Sequence, residues 1–130
     1  MLSVPHELPA LMRAQKIQHK ASKIGFDWEN ADGAFSKLYE EIDELKTAMS
    51  HHSQAEIEDE FGDVLFSCVN ISRFLNVDSE EALTSATDKF LNRFQIVEQL
   101  AKEKNINMKD APLSVLDSLG DEAKKIKNAE

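Results

Sequence analysis

The chain has 130 residues, room for one domain with a modest core. Its 24 acidic against 15 basic residues give a formal net charge of -9, which argues against broad nucleic-acid binding, since that needs basic surface to meet phosphates. Few glycines and prolines beside many Ala, Leu, Glu and Lys favour helices over strands, and no run approaches the ~20 apolar residues of a membrane span.

Residues 1–6 read as a loose leader without the basic and apolar blocks of a secretory signal, so a cytoplasmic location is expected. A first helix is predicted from about Glu7 to Lys23, with Leu8, Leu11, Met12, Ile17 and Ala21 along one side. Pro9 fits its first turn, and Gly25 stops it as a left-handed cap. Phe26-Asp27-Trp28 leads into a second helix, Ala31 to Met49, with Asn30 or Asp32 as N-cap. Phe35, Leu38, Ile42, Leu45 and Met49 form its apolar stripe.

A polar break at His51-His52-Ser53 precedes the third helix, which starts after Ser53 with Glu56 as the far side of a capping box and ends near Leu75. Ile57, Phe61, Val64, Leu65 and Cys68 form its stripe. Cys68, the single cysteine, forms no intrachain disulfide and is expected to be buried and inert. Asn76 to Ser79 is a turn that caps a fourth helix reaching Lys104, with Leu83, Ala86, Phe90, Phe94, Val97 and Leu100 as its stripe. After a loop from Asn105 to Pro112, a shorter fifth helix runs from Leu113 to about Lys127, interrupted or weakened at Gly120.

These lengths predict an all-α fold: an antiparallel bundle of four main helices plus a short C-terminal helix. Helices this long bury their apolar faces poorly in so short a chain. Val64-Leu65-Phe66 and Val69 give the third helix apolar groups on more than one side. A homodimer that completes the bundle is expected, and a tetramer of two dimers is compatible with it.

Acidic pairs mark the second and third helices. Glu41 and Glu44 are three apart, as are Glu60 and Asp63, and each pair lies beside an apolar stripe. If the break folds the helices back on each other, four carboxylates face one space. Two like charges ~5 Å apart repel by roughly 3 kcal/mol at an effective dielectric of about 20, and a divalent cation with a taste for oxygen ligands offsets that. Any one Glu on a helix is ordinarily a solvated surface residue; the argument rests on the paired placement.

This pattern, Glu-Glu-x-x-Glu followed after a gap by Glu-x-x-Asp, resembles the MazG family of all-α nucleoside triphosphate pyrophosphohydrolases. Lys16-Ile17-Gln18, Gly25-Phe26-Asp27-Trp28, Lys37, Gly62-Asp63-Val64-Leu65-Phe66 and Lys89-Phe90-x-x-Arg93-Phe94 extend the resemblance, over roughly residues 8 to 127 as a single MazG-like unit. The resemblance implies hydrolysis of a nucleoside triphosphate to monophosphate and pyrophosphate in nucleotide-pool house-cleaning, with Mg²⁺, or Mn²⁺ in its place, on Glu41, Glu44, Glu60 and Asp63. Glu40, beside them, is the candidate base or water-orienting group together with the ligand Glu41. A related reaction on phosphoribosyl-ATP stays open.

Lys89 and Arg93, four apart on one helix face, are candidates for phosphate contact. Lys37 either joins them or forms an ordinary helical pair with Glu41. Trp28 stacks on a base or staples the entry to the second helix, and Asp27 accepts from a base or caps a turn. His19 and Lys124 are further candidates for substrate contact, while Gly120 stands where resembling proteins carry an aromatic residue. Two rival readings stand beside this one. A di-iron bundle uses Glu-x-x-His pairs, and no Glu here has a His three later. A non-catalytic interaction protein with an acidic metal-binding face is the other.

Overall fold

The computed structural model describes residues 2–129. They form five helices and no strand: α1 (Ala10–Lys23), α2 (Ala31–Ser50), α3 (Gln54–Phe74), α4 (Ser79–Glu103) and α5 (Leu113–Ala129). The all-α expectation is met, and boundaries agree to within a few residues. The chain divides into two compact units, one ending at Ala82 and the other beginning at Leu83. Among the described residues no helix is long and apolar enough to cross a membrane.

Helix ends follow local chemistry. Pro9 is the N-cap of α1 and not a first-turn residue, so the helix begins three residues later than predicted. At its other end Gly25 has φ +91°, Phe26 N–H donates to the Ala21 carbonyl at 3.1 Å and Gly25 N–H to that of Ser22 at 3.1 Å. This is a Schellman stop, which only a left-handed residue closes easily. Asn105 ends α4 in the same way, with Ile106 N–H on the Ala101 carbonyl at 2.8 Å. Asn30 caps α2 by accepting from Asp32 N–H at 2.9 Å. Ser53 caps α3, but the Glu56 carboxylate turns to His51 Nδ1 at 2.9 Å, so half of the expected capping box forms. Lys20 reaches back to the Ser3 carbonyl, which ties the segment expected to be loose to α1.

In the first unit α2 and α3 pack along their length and α1 lies on α3. The core there is thin: Ala34, Ala48, Val69 and Ile71 are buried beside the polar Gln18, Glu41, Ser67 and Ser72. Ser79 N–H donates to Gln15 Oε1 at 2.8 Å and Gln15 Nε2 to the Val77 carbonyl at 3.0 Å, joining α1 to the α3–α4 turn. In the second unit Val97, Leu100 and Ala101 of α4 close on Leu119 and Ala123 of α5. Lys104 and Glu122 pair at 2.7 Å across the same two helices.

Several expectations of burial are corrected. Phe61, Leu65 and Cys68 of α3, and Leu83, Phe90 and Phe94 of α4, are exposed, as is Met49. Their spacing marks an apolar face correctly, and among the described residues that face is exposed. Cys68 is therefore open and not buried. α5 also runs unbroken through Gly120, because Leu119 and Ala123 on either side are held in the core.

Candidate metal centre and nucleotide site

The three-residue break turns α3 back along α2. The left-handed conformation of His52 (φ 56°) lets it do so in so few residues. Residues equidistant from that turn then meet, Glu41 opposite Asp63 and Glu44 opposite Glu60. Carboxylate oxygens of Glu41, Glu60 and Asp63 lie within 4.8 Å of one another, and those of Glu40, Glu41 and Glu44 form a second such set. The four predicted ligands are thus gathered at one place on the α2–α3 hairpin.

Their electrostatics are those of a site short of positive charge. The Glu60 carboxyl is pushed above the ordinary carboxylate range by desolvation first, then by the charge of Glu44 and a hydrogen bond with it. Asp63 is also raised, by desolvation and by Glu41. Glu41 is buried; Lys37 Nζ sits 2.9 Å from its Oε1, while its Oε2 is buried with no partner among the described residues. Glu60 Oε2 is in the same condition. Buried carboxylate oxygens without donors are expensive, and a hard cation is one partner that could satisfy them. An all-oxygen donor set of this kind suits Mg²⁺ or Mn²⁺ and is poor in the nitrogen and sulfur ligands of zinc or copper sites.

The helical pair expected of Lys37 is formed, and its Nζ is also 3.6 Å from Glu40. Glu41 raises the Lys37 ammonium above its usual range, chiefly by hydrogen bonding. An open groove of about 380 Å³ borders the centre, lined by Glu40, Asp43, Glu44, Thr47, Glu56 and Glu60. Asp43 and Glu56 were missed in the sequence. For Asp43 the signal was present, since 40, 43, 44 and 47 share one helix face.

A second, apolar cavity of about 440 Å³ lies between α1, the α1–α2 loop and α3, with Ile17, Gln18, Phe26, Trp28, Phe66 and Asn70 among its walls. Trp28 lines it and also rests against Gly33 of α2. A Cβ on Gly33 would meet the ring at 2.9 Å, so Trp28 packs closely at the entry to α2. Asp27 accepts from Trp28 N–H at 2.9 Å and pairs with Arg73, a residue the sequence did not single out. His19 lines a different, more open groove with Lys16, Lys20 and Lys23. Lys89, Arg93 and Lys124 belong to the second unit. Lys89 and Lys124 are exposed, and Arg93 Nε is buried without a partner among the described residues.

Comparison with known proteins gives a consistent picture. Residues 32–98 match the MazG nucleotide pyrophosphohydrolase domain. The chain is 46% identical over 117 residues to the nucleoside triphosphate pyrophosphohydrolase/pyrophosphatase MazG of Thermotoga maritima, covering 90% of this chain and 45% of that protein. It is 39% identical over 124 residues to the nucleoside triphosphate pyrophosphohydrolase of Escherichia coli K12, covering 94% and 47%. A similarity of 44% over 123 residues links it to the uncharacterized protein YabN of Bacillus subtilis, of which it covers 25%. The chain spans about half the length of the first two relatives, or less.

Proposed function

This chain belongs to the MazG nucleotide pyrophosphohydrolase family, and from that premise we propose that it hydrolyses a nucleoside triphosphate to the monophosphate and pyrophosphate. Water attacks the α-phosphorus, the bond to the bridging oxygen of the β-phosphate breaks, and pyrophosphate leaves. The observation that carries this reading is the meeting of Glu41, Glu60 and Asp63 within 4.8 Å, with buried oxygens lacking donors.

Glu41, Glu44, Glu60 and Asp63 hold Mg²⁺, with Mn²⁺ as a substitute. When bound, the cation supplies Lewis acidity toward phosphoryl oxygens and lowers the pKa of water. Lys37 orients Glu41 through its 2.9 Å contact and neutralises one of the cluster's charges. Glu40, on the exposed side of the same helix turn, takes the proton of the attacking water or orients it. Lys89 and Arg93 meet the charge that develops on the departing pyrophosphate, with Lys37 and Lys124 in lesser roles. The apolar cavity at Trp28 seats the base, and His19, in the neighbouring Lys16–Lys20 groove, meets a more distant part of the substrate. The working form is one MazG-like domain in a homodimer or a tetramer of dimers, since Phe61, Leu65, Phe90 and Phe94 are otherwise left to water. Pool house-cleaning in the cytoplasm is the setting that fits this chemistry.

The test is pyrophosphate and monophosphate release from a panel of canonical, deoxy and modified triphosphates with Mg²⁺, using the natural chain beside Asp63→Asn. Equimolar products and a loss of at least ~100-fold in the variant are expected. Equal turnover by the two proteins sinks the assignment.

A further inference from the structure

We propose that Asp27 and Arg73 form a latch that positions the aromatic loop between α1 and α2, and through it the base of the substrate. The inference rests on the function proposed above only for the identity of the occupant. The loop between Gly25 and Asn30 carries two aromatic rings, Phe26 82% exposed and Trp28 45%, of which Trp28 packs on Gly33 of α2. The loop is fixed at its ends by the Gly25 stop and the Asn30 cap. Midway along it, Arg73 is the tie to α3. Its Nη2 donates to Asp27 Oδ1 at 2.7 Å and its Nη1 to Oδ2 at 3.3 Å, a two-pronged contact spanning 46 residues of sequence.

The guanidinium is itself aimed in advance. Nε donates to Asn70 Oδ1 at 2.9 Å, and the group lies over the Phe74 ring, 5.2 Å from its centroid. The Arg73 side chain is 11% exposed and that of Asp27 23%, so the pair is partly screened from solvent. The same Asp27 Oδ1 accepts the Trp28 backbone N–H at 2.9 Å. The position of the guanidinium is thereby passed through one carboxylate to the backbone of the ring-bearing residue. Arg73 also stands between spaces, lining the apolar cavity on one side and the Lys16–His19–Lys20 groove on the other. A lysine cannot replace it, because an ammonium lacks the planar fork that meets Asp27 and Asn70 at once. The Asp27 carboxyl is held below its ordinary range, first of all by the Arg73 hydrogen bond, as a formed pair requires.

Trp28 is the only tryptophan, so its fluorescence reports the loop directly. The experiment compares the full chain with Arg73→Lys and Asp27→Asn, first free of nucleotide and metal, then in turnover. Acrylamide quenching of Trp28 is expected to rise about twofold with a red-shifted emission, as a ring released from its seat gains water. In turnover KM is expected to rise about tenfold with kcat within about twofold, because the altered group positions substrate and does not touch the reacting atoms. Quenching and emission unchanged in both folded variants overturn the latch. A fall in kcat at constant KM overturns the assignment to the base. Should Arg73→Lys fail to fold, Asp27→Asn, nearly isosteric and still able to accept from Trp28 N–H, decides alone. A natural chain without triphosphatase activity defeats the proposed function, while the quenching series still decides the latch.

Discussion

Glu41→Gln separates a metal ligand from a structural ion pair. In the metal-free protein this substitution removes one negative charge from a group whose oxygens lie within 4.8 Å of each other. At that distance a like-charge pair costs about 0.9 kcal/mol at the dielectric of water and about 3.5 kcal/mol at a dielectric of 20. Asp63 is exposed, so for its pairing with Glu41 the lower figure governs. Against this relief stands the weakened contact with Lys37, about 0.5 kcal/mol for a partly exposed helical pair. The amide still accepts from Lys37, so the two terms nearly cancel. Metal-free Glu41→Gln should therefore unfold within about 1 kcal/mol of the natural protein.

Saturating Mg²⁺ tells the two apart. A ligand at 100 times its Kd stabilises the native state by about 2.7 kcal/mol, which for a chain of this size is a Tm rise of about 10 °C. The natural protein should show a rise of this order and Glu41→Gln little of it. Calorimetric melting in EDTA and in MgCl2 is the assay. A metal-free variant destabilised by more than about 3 kcal/mol, or one that keeps the whole Mg²⁺ shift, refutes the reasoning.

Three further outcomes follow from particular residues. Glu60 and Asp63 titrate above their ordinary values of 4.5 and 3.8, so the folded, metal-free protein binds these protons more tightly than the unfolded chain. Their penalty is full above the folded pKa and fades as pH falls toward the unfolded values. The Tm in EDTA should thus rise as pH drops from neutrality into that window, and rise less in Asp63→Asn. Gly33→Ala drives a methyl into the Trp28 ring, now 2.9 Å from where that carbon would be. A net loss of about 1 kcal/mol, with altered Trp28 emission, is expected despite the better helix propensity, and unchanged emission would contradict it. Phe90→Glu, at a position 63% exposed in one chain, should cost the protomer less than about 0.5 kcal/mol yet shift light-scattering mass toward the monomer. A natural protein that is already monomeric at micromolar concentrations would remove the basis for a dimer.

The helices, most of their caps and the clustering of the acids were legible in the sequence because each rests on local rules. Gly25, Asn30, Ser53 and Asp78 announce helix ends through short-range hydrogen bonds. The spacing of Glu41, Glu44, Glu60 and Asp63 on two helices was legible, and their convergence followed once the short turn reversed the chain. Which apolar faces are covered was not legible. Periodicity marks a face as apolar without saying what packs on it, and so Phe61, Leu65, Cys68 and Phe90 were assigned to a core that a single chain does not build. The pairing of Arg73 with Asp27 was equally hidden, since 46 residues separate them and no local rule links an arginine late in one helix to an aspartate in a distant loop.

The sequence by itself determined that this chain is helical, where its helices stop, and that four acids would crowd one face of a hairpin. Only the tertiary structure decided which carboxylate oxygens are left without donors, where Trp28 packs, and which charge holds Asp27. The reason is physical: hydrogen bonds within a helix turn depend on neighbours in the chain, whereas desolvation and charge pairing depend on what other segments bring close.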